Sequence, residues 1–416
     1  MKTGTPAEAN PAAQAPLASS PLKNRWREYL PLVIGLILVV VSVGVRIAAR
    51  AVITSDLDFH ILPWYAKLQK HGPLVGLGKD FYNYTPPYLY LLALATLTSR
   101  FLSPVIAVKL ISTAFDVYAA YMIFKIVRLK YRDGYLPYLA AAIYFAAPTV
   151  IANTGVWGQA DSTYTAFLLT CLYFLLVNRP LPAILFFGIA LAFKPQAIFL
   201  APFLLVMILW KKIPWYYSLL VPIVYMLLML PAVAAGRTWT EVLTTYSAQA
   251  DSGKALTHNA ASLYVFVPKS AFEQLIGPAV IVAIAVVMLW VLITWVKTKS
   301  RDRQAMLLLA LVSVALVPFL LPNMHDRYFY PADTISIALA FWTPGMWFVP
   351  ILFQLVSGLS YSIYLLSASP DNLRVAGLIN VLTLILLFRH QALRDKGSDD
   401  SGPADAGRNR SGGTSM

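Results

Sequence analysis

The residues best suited to chemistry are polar and charged side chains that interrupt long apolar runs at five places. The first cluster is T-S-D-L-D-F-H-I-L-P-W-Y, in which Asp56 and Asp58 follow shortly after an apolar run. A carboxylate there would meet lipid headgroups and could take a proton from an attacking hydroxyl group. Acids in a polar loop are also often merely solvated, so position alone leaves both interpretations open.

Three further clusters combine aromatic rings, amides and charges: F-Y-N-Y-T-P-P-Y, N-T-G-V-W-G-Q-A-D-S and L-A-F-K-P-Q-A-I-F. Each has an ordinary alternative: the rings could form an interfacial belt, Asp161 could cap a helix, and Lys194 could extend to the membrane surface. The candidate binding residues, with one tryptophan from the first cluster, are Trp64, Tyr84, Trp157, Gln159, Asp161, Lys194 and Gln196.

The densest cluster is L-P-N-M-H-D-R-Y-F-Y-P, which places His325, Asp326, Arg327 and Tyr328 consecutively between two apolar runs. Arginine offers a planar fork of donors that matches phosphate oxygens, and histidine can donate as well. A structural pair between Asp326 and Arg327 is the alternative. The density of ionisable residues favours a binding site.

Together these clusters suit a sugar joined to a phosphate. Asp56 or Asp58 would act as the general base, with the other as an auxiliary acid. Lys194, His325 and Arg327 would stabilise the departing phosphate. The remaining amides and acids would position the substrate, and the aromatic rings would stack on the sugar.

The composition indicates what must position these residues. Of the 416 residues, 58% are hydrophobic and only 12% are charged, which is too little polar surface for a water-soluble globule of this size. The apolar runs lack the alternation of a membrane β-barrel. We therefore predict an all-α, polytopic transmembrane helix bundle with about twelve spans.

The net charge of +14 is spread over small groups of Lys and Arg at the ends of apolar runs. This distribution is a topology signal and predicts no nucleic-acid partner. If Tyr88–Phe101 lies in the interface instead of crossing, most of these groups fall in the cytoplasm together with both termini. Arg46, Arg50 and three lysines of the outer loop run against this rule.

The predicted organisation is a disordered cytoplasmic tail over residues 1–28, a transmembrane domain over 29–389 with an outer loop at 52–87 that contains interfacial helices, and a second tail over 390–416. The only cysteine, Cys171, lies within an apolar run and is interpreted as a packing residue.

The order of D-L-D-F-H-I-L-P-W, Y-T-P-P-Y, V-W-G-Q-A-D-S, F-K-P-Q and M-H-D-R-Y-F-Y-P resembles that of a family of bacterial mannosyltransferases. These belong to the GT-C superfamily and are similar to eukaryotic glycosylphosphatidylinositol mannosyltransferase II. The resemblance spans nearly the whole membrane domain and neither tail. Its most specific motif is the last one.

This resemblance implies an inverting transferase in the bacterial plasma membrane that uses a polyprenyl-phosphate sugar, usually mannose, at the outer face. Asp56 matches the family's catalytic aspartate. Asp326 stands where the family usually has glutamate, Leu57 replaces a common aromatic residue, and Asp58 is an additional acid. The implied acceptor is a lipid or glycan, and membrane lipids surround the protein.

No cofactor is expected from the resemblance, although a few superfamily members bind a divalent metal at such acids, so that alternative stays open. The main rival function is a transporter or flippase of a lipid-linked saccharide, which would use the same cations and rings without a base. A non-catalytic membrane scaffold is the third possibility.

Overall fold

A computed structural model describes the backbone of residues 21–250 and 255–400, and these residues form an all-α bundle. The α-helices are α1 (Pro21–Ala48), α2 (Leu62–His71), α3 (Pro73–Leu77), α4 (Pro86–Thr96), α5 (Pro104–Arg128), α6 (Leu136–Phe145), α7 (Pro148–Val150), α8 (Asp161–Leu176), α9 (Pro180–Phe193), α10 (Ala201–Leu209), α11 (Leu220–Ala234), α12 (Trp239–Ala250), α13 (Phe272–Lys297), α14 (Arg303–Leu320), α15 (Tyr330–Trp342), α16 (Val349–Leu365) and α17 (Asp371–Asp400).

Short irregular helices and one pair of short strands connect these elements. Strands β1 (Thr257–His258) and β2 (Met324–His325) pair in parallel. The π-helices are Leu57–Ile61 and Ile151–Trp157, and the 3-10 helices are Pro195–Leu200, Trp215–Leu219, Leu263–Phe266, Lys269–Ala271, Asp326–Phe329 and Pro344–Met346.

Seven helical segments in the described residues are long and apolar enough to cross a membrane, which agrees with the predicted multi-pass helical bundle. An eighth crossing results if Leu136–Phe145 and Pro148–Trp157, which are bent by 44° at their junction, form one broken span. Three shorter apolar helical segments, Asp161–Leu176, Pro180–Phe193 and Pro195–Leu209, complete the set. The count of about twelve spans stays a prediction.

The helix boundaries follow from local sequence. Proline occupies the first turn of α4, α5 and α9, where its missing N–H costs no hydrogen bond. Ser103 caps α5 by accepting from the backbone N–H of Ile106, and Asp302 caps α14 by accepting from that of Ala305 over 2.7 Å.

The protein core lies around α8 and α14. Helix α8 packs between α5 and α9, and α14 packs against α15 and α17. In contrast, α1, α11 and α13 expose large apolar side chains such as Leu36, Leu227 and Ile281. Because water would oppose such exposure, these outer helices are suited to contact lipid.

The loop over residues 52–87 contains α2 and α3, as the prediction of helices in this loop requires. Helix α4, predicted as an interfacial segment over Tyr88–Phe101, is shorter and ends at Thr96. Tyr88, Leu89 and Leu92 are buried against protein. This helix is too short to cross a membrane. One side of it packs on α2 and α5, whereas Leu94, Leu97 and Phe101 of the predicted segment are exposed, and the interfacial position stays a prediction.

Helices extend into both predicted tails, those over residues 1–28 and 390–416. Helix α1 already starts at Pro21, and α17 continues to Asp400, so residues 21–28 and 390–400 are helical. The remainder of both predicted tails, residues 1–20 and 401–416, lies outside the described residues.

The charge pattern left Arg46 unexplained, and an internal ion pair accounts for it. Its guanidinium lies 2.8 Å from the carboxylate of Asp116 on α5, and both side chains are buried. Thr154 and Tyr330 donate hydrogen bonds to the same carboxylate over 2.5 and 3.0 Å. Arg46 is therefore a buried structural charge that carries no topology signal. Arg50, in the turn after α1, is exposed and donates to the backbone carbonyl of Ile47.

Candidate active site

All but two of the predicted site residues line a single cavity of about 520 Å³. The clusters that carry them are far apart in sequence, and the fold brings them to one end of the bundle. The predicted residues in the lining are Asp56, Trp64, Tyr84, Trp157, Gln159, Lys194, Gln196, His325, Asp326, Arg327 and Tyr328.

Breaks in helices position these side chains. Asp56 immediately precedes the π-helix Leu57–Ile61, and Lys194 lies in an extended conformation between α9 and the following 3-10 helix. Gly158 has a φ of 77°, a left-handed conformation that favours glycine, at the turn between the π-helix Ile151–Trp157 and α8. This turn lets Trp157 and Gln159 approach the same carboxylate.

The Asp56 carboxylate is held by two donors from that turn. Trp157 Nε1 donates to Asp56 Oδ2 over 3.1 Å, and Gln159 Nε2 donates to the same oxygen over 2.7 Å. The hydroxyl group of Tyr364 accepts from the backbone N–H of Asp56 over 2.8 Å, and its ring stacks on Trp157. Within the described residues, the hydrogen bonds to this carboxylate all end on Oδ2. Oδ1 therefore retains the capacity to accept a proton.

Arg327 lies among three carboxylates. Its guanidinium nitrogens are 3.6 Å from Asp56, 3.6 Å from Asp161 and 3.8 Å from Asp326. These distances are those of ion pairs and exceed normal hydrogen bonds. In the described part of the chain, Arg327 Nε has no hydrogen-bond partner. A buried donor without a partner is costly, so this nitrogen is suited to bind an oxygen of a ligand.

Lys194 is paired directly with Asp161 over 2.7 Å, and both side chains are buried. The alternative in which Lys194 extends to the membrane surface is wrong. Burial is the largest single influence and lowers the pKa of this lysine, but the charges of Asp161 and Tyr84 and the hydrogen bond to Asp161 together outweigh it, and the pKa is raised. Lys194 is therefore a stable cation at the cavity wall.

Asp161 lies behind the cavity and does not contribute to its lining. It accepts from Asn153 over 3.0 Å in addition to Lys194, and Arg327 lies beside it. In the capping interpretation its side chain would accept from the start of α8, but the hydrogen bonds of its two oxygens go to Lys194 and Asn153. Its position instead fixes both cations of the cavity.

Burial shifts the protonation of two neighbours in opposite senses. Asp326 is buried, which raises the pKa of its carboxyl group to about 7 even though Arg327 opposes the shift. Burial, followed by repulsion from Arg327, His258 and Lys194, lowers the pKa of His325 to about 2. His325 is therefore a neutral imidazole at physiological pH, and the permanent cations of the cavity lining are Lys194 and Arg327.

Another part of the cavity wall includes residues that the sequence motifs did not indicate. Strand β1 places His258 on His325, with the rings stacked at 4.5 Å between centroids, and His258 bonds to Asn323 over 2.7 Å. Asn259 continues this wall. The left-handed conformations of Asn259 and Asn323, with φ of 58° and 63°, mark the turns that allow the strands to meet.

Tyr364, His60 and Asn83 also line the cavity although no role was predicted for them. Asp58, in contrast, is exposed and does not contribute to the cavity lining. It lies two residues after Asp56 on the π-helix, and the structure does not bring it to the other site residues. Of the two candidate bases, Asp56 is the one inside the cavity.

No protein-family model matches this chain, and no curated protein matches it.

The chemistry of the cavity therefore has to be argued from its geometry. A metal ion could be held by a group of three or more His, Cys, Asp or Glu side chains. The described residues contain no such group. The cavity combines one oriented carboxylate, two cations and several rings. It can accept a proton at Asp56 and bind an anionic group at Arg327 and Lys194.

Proposed function

We propose that this chain is a membrane glycosyltransferase that moves a hexose from a polyprenyl-phosphate donor to a lipid or glycan acceptor. Mannose is the proposed sugar. The observation that carries the proposal is the orientation of Asp56. Its Oδ2 is bound by Trp157 and Gln159 while the guanidinium of Arg327 lies 3.6 Å away. A positioned base and a cation thus share one cavity, as a transfer from a phosphate requires.

The proposed reaction is a single displacement. The acceptor hydroxyl oxygen attacks the anomeric carbon from the side opposite the phosphate, and its proton passes to Asp56. The new carbon–oxygen bond forms as the bond from the anomeric carbon to the phosphate oxygen breaks, and that electron pair stays on the phosphate. One displacement inverts the configuration at the anomeric carbon.

Arg327 and Lys194 would stabilise the negative charge that develops on the departing phosphate. The contacts of Arg327 at 3.6 to 3.8 Å are loose enough to be replaced by phosphate oxygens. Lys194 is paired with Asp161 over 2.7 Å, and its positive charge would act on the phosphate from the cavity wall. His325, as a neutral imidazole, would donate one N–H without adding charge.

The resemblance of the five motifs to the GT-C mannosyltransferases supports the same assignment, with Asp56 at the catalytic position. Under this proposal the bundle is of GT-C type with about twelve spans, the cavity opens on the non-cytoplasmic face of the bacterial plasma membrane, and both termini are cytoplasmic. The groups of Lys and Arg at the ends of apolar runs support this orientation.

The decisive experiment measures transfer of radiolabelled mannose from polyprenyl-phosphate mannose to extracted lipids in membranes that contain the protein. Asp56→Asn should abolish transfer while donor binding persists, and the matched variant Asp58→Asn should retain transfer within about threefold. Equal transfer by the wild type and Asp56→Asn would refute the role of Asp56. Loss of transfer in Asp58→Asn alone would identify Asp58 as the base and Asp56 as the auxiliary acid.

The broken helix beside the site favours one second candidate, a transporter or flippase of a lipid-linked saccharide. The pair Leu136–Phe145 and Pro148–Trp157 bends by 44° and ends at Trp157 in the cavity wall. Transporters often build their substrate sites from such discontinuous helices. A transporter needs no base, so saccharide movement across vesicles that survives Asp56→Asn would favour this candidate.

A further inference from the structure

A lateral groove between α13 and α17 lies outside the site described above. It has a volume of about 730 Å³ and opens toward the surroundings of the bundle. Its walls are mainly apolar and include Val286, Leu289, Trp290, Ile293, Val296, Phe388 and Ala392. Both helices pack on α14, and the space between them is the groove.

The polar groups at the base of this groove satisfy one another. Trp290 Nε1 donates to Gln391 over 3.4 Å, and Gln391 donates to Thr294 over 3.1 Å. A ligand in the groove therefore meets an apolar surface along most of its length, because these dipoles already have partners. A hydrocarbon chain fits such a surface better than a polar molecule does.

One end of the groove is cationic. Lys297, the last residue of α13, and Lys299 belong to the lining at the point where the apolar wall ends. Asp395 lies at the same end and accepts from Thr298 over 3.2 Å. Two lysines against one aspartate leave a net charge of one positive unit next to the apolar wall.

This cationic end lies on the face of the bundle opposite the candidate active site. Helix α13 begins at Phe272, shortly after β1, which pairs with β2 at the cavity. Its 26 residues extend about 39 Å, enough to cross the hydrocarbon core of a bilayer. With α13 crossing the bilayer, a molecule bound at Lys297 would lie in the other leaflet from a substrate bound at Asp56.

We propose that this groove is a binding site for an anionic phospholipid, with an acyl chain along Val286–Val296 and the phosphate at Lys297 and Lys299. Other grooves on the bundle provide a contrast. One is lined by α1, α5 and α6, and another by α6, α15 and α16 with the segments beside them, and neither lining contains a Lys or Arg. Any lipid can fill those grooves, whereas the α13–α17 groove selects a negative headgroup.

The test uses Trp290, which lines the groove, as a fluorescent reporter. The full-length protein is placed in vesicles of phosphatidylcholine with increasing fractions of a lipid that carries bromine on its acyl chain, either phosphatidylglycerol or phosphatidylcholine. Subtracting the signal of Trp290→Phe isolates quenching at the groove. With one net positive charge, we expect brominated phosphatidylglycerol to bind about fivefold more tightly than brominated phosphatidylcholine.

The double variant Lys297→Gln/Lys299→Gln should bring the two lipids to equal binding. The matched control Lys67→Gln/Lys70→Gln removes two exposed lysines on α2 and should leave the preference unchanged. Equal quenching by both lipids in the wild type would overturn the proposal, as would a preference that persists without Lys297 and Lys299. Absence of quenching by either lipid, as expected if a second copy of the chain covered the groove, would overturn it as well.

Discussion

Trp157 Nε1 lies 3.1 Å from Oδ2 of Asp56, and the same indole ring stacks on Tyr364 at 4.4 Å between centroids. The hydroxyl group of Tyr364 in turn accepts from the backbone N–H of Asp56. Two segments that are distant from Asp56 in sequence therefore fix this residue, one at its side chain and the other at its backbone. Such fixation suits a group that must be aligned with a reacting hydroxyl group.

Replacement of Gln159 by leucine should impair alignment of Asp56 while leaving the carboxylate in place. Gln159 provides the shorter of the two hydrogen bonds to Oδ2, at 2.7 Å. We expect kcat for mannose transfer to fall about 10- to 100-fold with little change in the donor KM. Steady-state kinetics in detergent measure both. Gln69→Leu, at an exposed position on α2, is the control, and an equal loss in that variant would contradict a specific role.

Replacement of Arg327 by lysine keeps the charge but removes the planar fork that lies between three carboxylates. We expect the donor KM to rise by about tenfold or more, because a single ammonium group cannot bridge two phosphate oxygens in the same way. Donor binding to purified protein is the direct measurement. Arg374→Lys, on an exposed arginine of α17, should bind donor like the wild type. Unchanged donor binding by Arg327→Lys would exclude Arg327 from the phosphate site.

Donor binding should depend on pH through Asp326. Its pKa is raised to about 7, so the carboxyl group is largely neutral below that pH and becomes negative above it. The donor is a phosphodiester whose charge is constant over this range, and a negative Asp326 beside Arg327 would repel it. We therefore expect affinity to fall as pH rises from about 6 to 8, by up to on the order of tenfold.

The variant Asp326→Asn tests this assignment because it cannot ionise. Its donor affinity should be nearly constant over the same pH range. The raised pKa also implies that ionisation of Asp326 destabilises the fold progressively as pH rises from about 4 toward 7, and the variant should lack this component of the stability profile. A pH dependence of donor binding that persists in Asp326→Asn would assign the titration to another group.

Removal of the carboxylate of Asp116 should destabilise the protein strongly. Asp116→Asn leaves the guanidinium of Arg46 buried without its ionic partner, at a cost of about 3–5 kcal/mol. Thermal unfolding in detergent should show a lower midpoint, and the double variant Arg46→Met/Asp116→Leu should recover much of the loss. Arg374→Gln, which breaks an exposed ion pair with Asp371, should have little effect. Equal midpoints for Asp116→Asn and the wild type would contradict a structural role of the pair.

The sequence allowed prediction of those site residues whose polarity conflicts with their surroundings. Lys194 and Arg327 each interrupt an apolar run, and a charge in such a run needs a partner or a function. The same argument applied to Arg46 failed to identify its partner, because Asp116 lies in the middle of a different helix and only packing brings the two together.

Other site residues carry no comparable signal. Tyr364 is one tyrosine in an apolar helix, and its contact with Asp56 depends on how α16 is rotated against the outer loop. His258 precedes a turn in an ordinary polar segment, and only its pairing with β2 brings it to His325. Asp58 shows the converse: it has the right chemistry and neighbourhood in sequence, but the π-helix directs it away from the cavity.

The single thiol of the chain, Cys171, lies fully buried within α8. A buried thiol is shielded from reagents that attack thiolates in water. Cysteines introduced one at a time at surface positions can therefore be labelled by membrane-impermeant maleimides while Cys171 is retained. The native cysteine therefore need not be removed before labelling. Cysteines introduced at positions such as Asp58 and Lys299 can assign each position to one side of the membrane.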